Sequence, residues 1–224
     1  MHSSELAHPG PHTSTFMYWV ARLWMWVFGW DTEGDHPQVE KGVIIAAPHT
    51  TNWDLPHMLA AAFIFRVHIS WMGKHTLFKP PFGWFMRALG GVPVDRRAPG
   101  GLVKQVAGKF ADTDKLLLAV PPSGTRSKRD RWKSGFYWIA HTAQIPVVCG
   151  YLDYGRKKAC LGYTFVPTGD VKADMDKVRA FYAGVTGKYP AMQNDIVLKE
   201  ELEGEDAPKR AAKASEHRED AGHA

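Results

Sequence analysis

The stretch GVIIAAPHTTNWDLP, residues 42–56, decides how this chain is read. Five successive apolar residues, Val43 to Ala47, suit a strand buried on both faces, as in a parallel sheet. The run stops at Pro48, and His49-Thr50-Thr51-Asn52-Trp53-Asp54 forms a polar exit before apolar positions resume at Leu55. Pro56 sits where the first turn of a helix tolerates proline. The stretch therefore reads as strand, loop and helix. In open α/β sheets, sites gather beyond the carboxyl ends of the strands, so this exit is the first place to look for chemistry. His49 and Asp54 stand there as His-x4-Asp. An imidazole moves protons near neutral pH, and a carboxylate can fix its tautomer and stabilise its cation. The plain structural alternative makes Asp54 a helix N-cap. His57 extends the pattern to His-x4-Asp-x2-His, but no further ligands follow at helical spacing, so no metal is expected.

Outward from this unit, apolar residues recur at three- and four-residue spacings near Leu55–Phe65, Pro81–Leu89, Leu102–Asp112, Ser134–Ala143 and Asp174–Val185, which predicts helices. Strands are expected at Gly42–Ala47 and near Val67–Met72, Val92–Val94, Lys115–Val120, Pro146–Leu152 and Gly162–Val166, with a turn-rich stretch at Asp31–Lys41. Strands alternating with helices imply an α/β fold, a single domain with a mixed, partly parallel sheet flanked by helices. The domain is placed at residues 31–199. Met1–Thr15 reads as disordered, and residues 200–224 as a charged flexible tail.

Residues 16–30, FMYWVARLWMWVFGW, hold seven aromatic residues and four of the chain's nine tryptophans. A helix of that length falls short of the roughly 30 Å hydrocarbon core. Trp and Tyr favour the headgroup level, so the reading is a membrane-interface helix, with packing on the domain as the alternative. The net charge is +5; residues 200–224 carry eight acidic and four basic side chains, which leaves 24 basic and 15 acidic in the rest. A basic body suits phosphate-bearing substrates or an anionic membrane surface. Nucleic acid is not expected, because no recognition motif accompanies the charge. Cys149 and Cys160 offer neither a metal spacing nor a disulfide framework, which fits a reducing compartment. No secretory signal is read in the first fifteen residues.

Two more polar stretches follow strands. Gly90–Arg97, GGVPVDRR, ends an extended run in Asp95-Arg96, and arginine grips phosphate with paired hydrogen bonds. Residues 116–135 run from Leu116-Leu117-Leu118 into Pro122-Ser123-Gly124-Thr125-Arg126, and then Lys128, Arg129, Arg131 and Lys133. Gly124 permits a tight turn and a close approach to a ligand. A surface ion pair and a solvated basic loop are the structural alternatives for these two stretches.

Taken in order, His49-x4-Asp54, Gly90–Arg96, Pro122–Arg126 and Ile145–Val148 resemble the four blocks of the glycerolipid acyltransferase family, which includes bacterial 1-acylglycerol-3-phosphate acyltransferases. The likeness covers about residues 40–170, and MGK (Met72–Lys74) and WKSGFYWIA (Trp132–Ala140) resemble its short bacterial members. The resemblance implies transfer of an acyl group from a thioester, acyl-CoA or acyl-carrier protein, to a hydroxyl of a lysophospholipid-like acceptor, without a cofactor. It makes His49 the general base and Asp54 its partner. It places Lys74, Arg96, Ser123, Gly124, Thr125 and Arg126 at the substrate, with Arg96 and Arg126 as phosphate binders. Pro146 falls in the apolar block that shapes acyl or acceptor binding. The family usually has glutamate where this chain has Ser123, a change that bears on acceptor choice. A non-catalytic lipid-binding or membrane-adaptor protein on the same scaffold is the alternative that Ser123 favours. With the aromatic segment, the likeness implies a peripheral or monotopic protein on the cytoplasmic face of the cell membrane.

Overall fold

The computed structural model describes residues 13–34, 36–94 and 102–202. The first helix, α1 (Thr15–Phe28), starts at Ser14, whose side chain accepts from the Met17 amide, and ends at Gly29 in the left-handed region (φ 68°). The Trp30 amide then reaches back to the Met25 carbonyl at 2.7 Å, closing the helix end. After it come β1 (Asp31–Gly34), β2 (Lys41–Ala46), α2 (Asp54–Ile64), β3 (Ile69–Lys74), a 3₁₀ turn at His75–Phe78, α3 (Gly83–Ala88) and β4 (Gly91–Val94). The rest is α4 (Leu102–Ala111), β5 (Leu116–Val120), α5 (Gly135–Ala143), β6 (Val147–Asp153), β7 (Lys158–Phe165) and α6 (Val171–Phe181).

The described strands form one seven-stranded sheet in the order β1-β7-β6-β2-β5-β3-β4. β4, β3, β5, β2 and β6 are parallel neighbours, β7 runs antiparallel to β6, and β1 is parallel to β7. The expected α/β fold with a mixed sheet is therefore the observed one. β2 lies inside the sheet, between β5 and β6, which explains its unbroken apolar run. Alternation divides that run between two layers. Val43 and Ile45 enter one apolar cluster with Val106, Phe110, Phe136, Ile139, Met175 and Val178, from α4, α5 and α6. Ile44 enters the other with Ala21, Met25, Leu59, Ala62 and Phe63, from α1 and α2. β5 alternates in step: Leu116, Leu118 and Val120 face the first cluster, and Leu117 and Ala119 the second.

Several boundaries differ from expectation. β1 lies where a turn-rich stretch was expected. Its sequence, DTEG, has no strand pattern; ladder pairing to β7 and ion pairs of Asp31 with Lys158 (2.8 Å) and Glu33 with Arg156 (2.9 Å) hold it. β7 begins at Lys158 rather than Gly162, because the turn after β6 is tight, with Lys157 at φ 52°. α6 starts at Val171, capped by Asp170. Asp174, expected to open that helix, is instead buried and accepts from Tyr137 Oη at 2.8 Å and from the Thr168 amide and hydroxyl. The charged tail expected from residue 200 begins inside anchored chain. Glu200 accepts from Ser134 (2.7 Å) and Trp138 (2.8 Å), Glu201 pairs with Arg179 at 2.7 Å, and Leu198 is fully buried. The remainder of that segment, and residues 1–12 of the segment expected to be disordered, lie outside the described residues.

Leu118 sits on β5 in the middle of the first cluster and is 1% exposed. Replacing it by alanine should cost about 2–5 kcal/mol, the usual range for a buried leucine. Urea unfolding of Leu118→Ala should show a lowered midpoint with an unchanged slope; an unchanged midpoint would mean that this face of the sheet is not a packed core.

Candidate active site

The carboxyl ends of β2, β3, β4 and β5 lie side by side, and the chain leaves β2 for β3 across the place that β5 fills. Loops beyond such a switch point diverge and leave a crevice. His49 leaves β2, Lys74 closes β3, and Gly124-Thr125-Arg126 follow β5. All five of these residues, with Asp54, line one cavity of about 580 Å³. Arg96, expected beside them after β4, lies outside the described residues.

The polar centre is Asp54. It is 5% exposed and is the first residue of α2. It does not act as the N-cap: Trp53 holds that position and caps nothing with its side chain. The Asp54 carboxylate turns back over the loop instead. Oδ2 accepts from His49 Nδ1 at 2.9 Å and from the Thr50 and Thr51 amides at 3.0 and 3.1 Å, while Oδ1 accepts from Tyr154 Oη at 2.8 Å. Four donors on one carboxylate saturate its acceptor capacity. They also settle the imidazole tautomer. Oδ2 has nothing to donate, so Nδ1 carries the proton and the Nε2 lone pair is left for a substrate proton. His49 itself is part-buried, its side chain 23% exposed at the cavity wall.

Behind this dyad stands an aromatic cage that local spacing did not reveal. His57 follows Asp54 by three residues on α2, is 3% exposed, and stacks on Trp30 with ring centres 4.5 Å apart. Its Nδ1 accepts from Trp24 Nε1 at 3.2 Å. Phe28, Trp53 and Tyr154 close the remaining sides. Burial pulls the His57 imidazole down to about 4, outweighing the opposing charge of Asp54. It is therefore a neutral packing group, with its Nδ1 lone pair taken by the Trp24 indole. Tyr154 is pushed well up by burial and by Asp54, so its hydroxyl stays protonated and donates. Tyr154 lies 100 residues from Asp54. Neither it nor the tryptophans carried a sequence signal tied to the dyad; the aromatic density of residues 16–30 was the nearest hint.

The third loop is a compact turn. The Gly124 amide bonds to the Pro121 carbonyl at 3.0 Å with φ 63°, and a Cβ there would lie 3.2 Å from the Lys133 side chain. Glycine is what that backbone admits. Ser123 does not reach the large cavity. It is 7% exposed, donates to the Thr125 carbonyl at 2.7 Å, and lines a second cavity of about 40 Å³ with His49, Trp132, Tyr182 and Asn194. Lys128 is engaged away from the cavity, by the Gln193 carbonyl (2.6 Å) and Asp195 (3.2 Å). Apart from its polar end, the large cavity is apolar. It runs between the sheet and α2, past Ile44, Met58, Ala61, Ala119, Leu152 and Leu161.

A family model described as "Acyltransferase" matches residues 31–152. The 1-acyl-sn-glycerol-3-phosphate acyltransferase of Streptococcus pneumoniae (strain ATCC BAA-255 / R6) is 33% identical over 118 residues, a match covering 50% of this chain and 42% of that protein. The chain thus spans less than half the length of this relative. The crystal structure of the 1-acyl-sn-glycerophosphate (LPA) acyltransferase, PlsC, from Thermotoga maritima superposes with a TM-score of 0.50 at 19% identity, over 74% of this chain and 73% of the other. That likeness is one of fold.

The low His57 value makes a prediction about stability. The unfolded chain binds a proton at this group near 6.5 and the folded chain only near 4. Stability from this residue is complete above about pH 6.5 and is lost as pH falls toward 4, by about 3 kcal/mol at most. In His57→Gln, which keeps an acceptor for Trp24, the loss between these pH values should shrink. Parallel stability curves for the two proteins would show that His57 is not held neutral by burial.

Proposed function

Because this chain belongs to the acyltransferase family, we propose that it transfers an acyl group from a thioester, carried on coenzyme A or an acyl-carrier protein, to the hydroxyl of a lysophospholipid-like acceptor at a membrane surface. The observation that carries this reading is the bonded pair His49–Asp54 at the polar end of a long apolar cavity. The roles follow from the atoms. The acceptor hydroxyl gives its proton to His49 Nε2 as its oxygen attacks the thioester carbonyl. Asp54, held by Thr50, Thr51 and Tyr154, keeps Nδ1 protonated and stabilises the imidazolium that forms. The proton then passes to the departing thiolate, and no acyl-enzyme is needed. The acyl chain lies in the apolar part of the cavity. Lys74 and Arg126, on its polar rim, suit the phosphate of an acceptor or donor.

Membrane attachment is proposed through α1. Ala21 and Met25 pack on the domain while Phe16, Trp19, Leu23 and Trp26 are 60–77% exposed. One face thus packs on the domain and the other is bare, and the bare face is the one proposed to meet the membrane. Among the described residues no helix is long and apolar enough to cross a membrane. The cytoplasmic face of the cell membrane is the location proposed, and a lipid-binding adaptor on the same scaffold is the competing reading. An adaptor has no use for a carboxylate with four donors gathered on it beside a histidine, which favours the enzyme.

His49→Ala should lower kcat by about 10²–10⁴ with an unchanged unfolding midpoint. Asp54→Asn should be similarly impaired, through the tautomer of His49. Thiol release from an acyl thioester with a lysophospholipid panel measures both; phospholipid binding without any turnover in the wild type would leave the adaptor reading. Arg126→Ala should cut kcat/KM about 10- to 150-fold for phosphate-bearing acceptors, the loss of one charge-assisted hydrogen bond. Neutral acceptors should change far less, and equal losses for both would remove Arg126 from phosphate recognition.

A further inference from the structure

A second bare apolar ledge stands next to the cavity, on residues 75–88. Phe82 is 69% exposed, Trp84 74%, Leu77 48% and Phe85 44%. This ledge is built, not loose. The Gly83 amide bonds to the Lys79 carbonyl at 2.9 Å and Met86 to Phe82 at 3.1 Å. Gly83 is pressed so close to Phe78 that a Cβ would fall 2.0 Å from the Phe78 carbonyl oxygen. α3 thereby divides its side chains. Met86 turns into the cavity, with Phe78 in the apolar cluster below, while Trp84 and Phe85 stand outward, edge to face at 5.9 Å.

We propose that this ledge is a second membrane-docking surface, which seats the rim of the cavity on an anionic bilayer; the proposal rests on the membrane reading given above for α1. Three observations select the occupant. From Leu55 to Val94 the chain carries four Lys or Arg residues (Arg66, Lys74, Lys79 and Arg87) and no Asp or Glu, and residues 13–30 carry Arg22 and no acid. Cations around exposed aromatics match a surface of anionic headgroups over acyl chains. The same pattern opposes a two-fold contact with a second copy, which would bring like charges together. Next, ledge and α1 lie on one side of the sheet, since Phe78, Met86 and Leu89 join the cluster of Ala21 and Met25. Finally, Leu77 belongs to both places: it lines the cavity and is half exposed. An acyl chain passing Leu77 goes from bilayer to cavity without an aqueous step, which matters because each exposed methylene weakens transfer.

The native cysteines, Cys149 and Cys160, are buried, so an introduced cysteine takes a thiol-reactive fluorophore selectively. Full-length Trp84→Cys, Trp19→Cys and Lys172→Cys, each labelled, are mixed with phosphatidylcholine–phosphatidylglycerol vesicles with and without nitroxide on the lipid chains. Lys172 is exposed on α6, across the sheet from the ledge. Labels at 84 and 19 should be quenched about twofold or more and the label at 172 should not change. Quenching at 19 without quenching at 84 overturns the ledge and leaves the α1 anchor standing. No quenching at either overturns the membrane reading itself. A label at 84 that changes with protein concentration before any vesicle is added assigns the ledge to a second copy and overturns the proposal. Unlabelled Trp84→Ser/Phe85→Ser should bind these vesicles about tenfold or more weakly and turn over a short-chain, water-soluble thioester as the wild type does. Unchanged vesicle affinity in that folded variant would equally overturn it.

Discussion

The Asp54 carboxylate is the constraint on which the site depends. A buried carboxylate is costly unless donors surround it, and the local sequence supplies them in a particular way. Two of them, the Thr50 and Thr51 amides, come from the loop leaving β2, and they exist as donors only because that loop doubles back over the first turn of α2. The start of a helix is electropositive, which adds to the hold on the charge. The third donor is His49 and the fourth is Tyr154, just beyond β6. One charged group thus orders the loop, the imidazole and the end of a neighbouring strand together. The His49 imidazole is oriented by the same interaction that closes the loop.

The cage behind Asp54 extends that order to α1. Trp24 donates to His57, Trp30 stacks on it, and Tyr154 meets Trp30 edge to face at 4.8 Å while bonding to Asp54. The helix proposed to touch the membrane is therefore packed against the residues that support the dyad. This explains how a segment so rich in tryptophan serves two surroundings. Its small and flexible residues, Ala21 and Met25, face the domain, and its largest rings are divided between the cage and the open face. A neutral His57 suits this position, because protonation of Nδ1 would set an N–H against the Trp24 indole donor that it now accepts from.

Cavity and ledge follow from the layering of the sheet. Ala61, Ala62 and Ala119 are small residues where α2 meets β5 and leave room between the layers. That room is apolar, and its polar end is the crevice at the switch point. The reaction proposed here needs such a space, with a long greasy arm and a wet head, because its substrates are amphipathic.

Much of this was legible in residues 42–56 alone. An unbroken apolar run, a proline, a histidine and an aspartate before a helix specify strand, exit loop and site, since local propensity and the parallel-sheet rule act over a few residues. The ordered blocks extended the reading to Gly124, Thr125 and Arg126, and the MGK stretch to Lys74, all of which meet at one cavity. β1 was not legible, because DTEG is a strand only through its partner β7. Nor was Tyr154, whose hydroxyl reaches Asp54 across the sheet, or the inward turn of Ser123. The sequence by itself determined the α/β alternation, the dyad and the amphipathic character of the N-terminal segment. Tertiary structure alone decided which face of that segment is buried, that His57 is caged and neutral, and which loops share the cavity, because these depend on contacts between residues far apart in the chain, whose geometry no local pattern encodes.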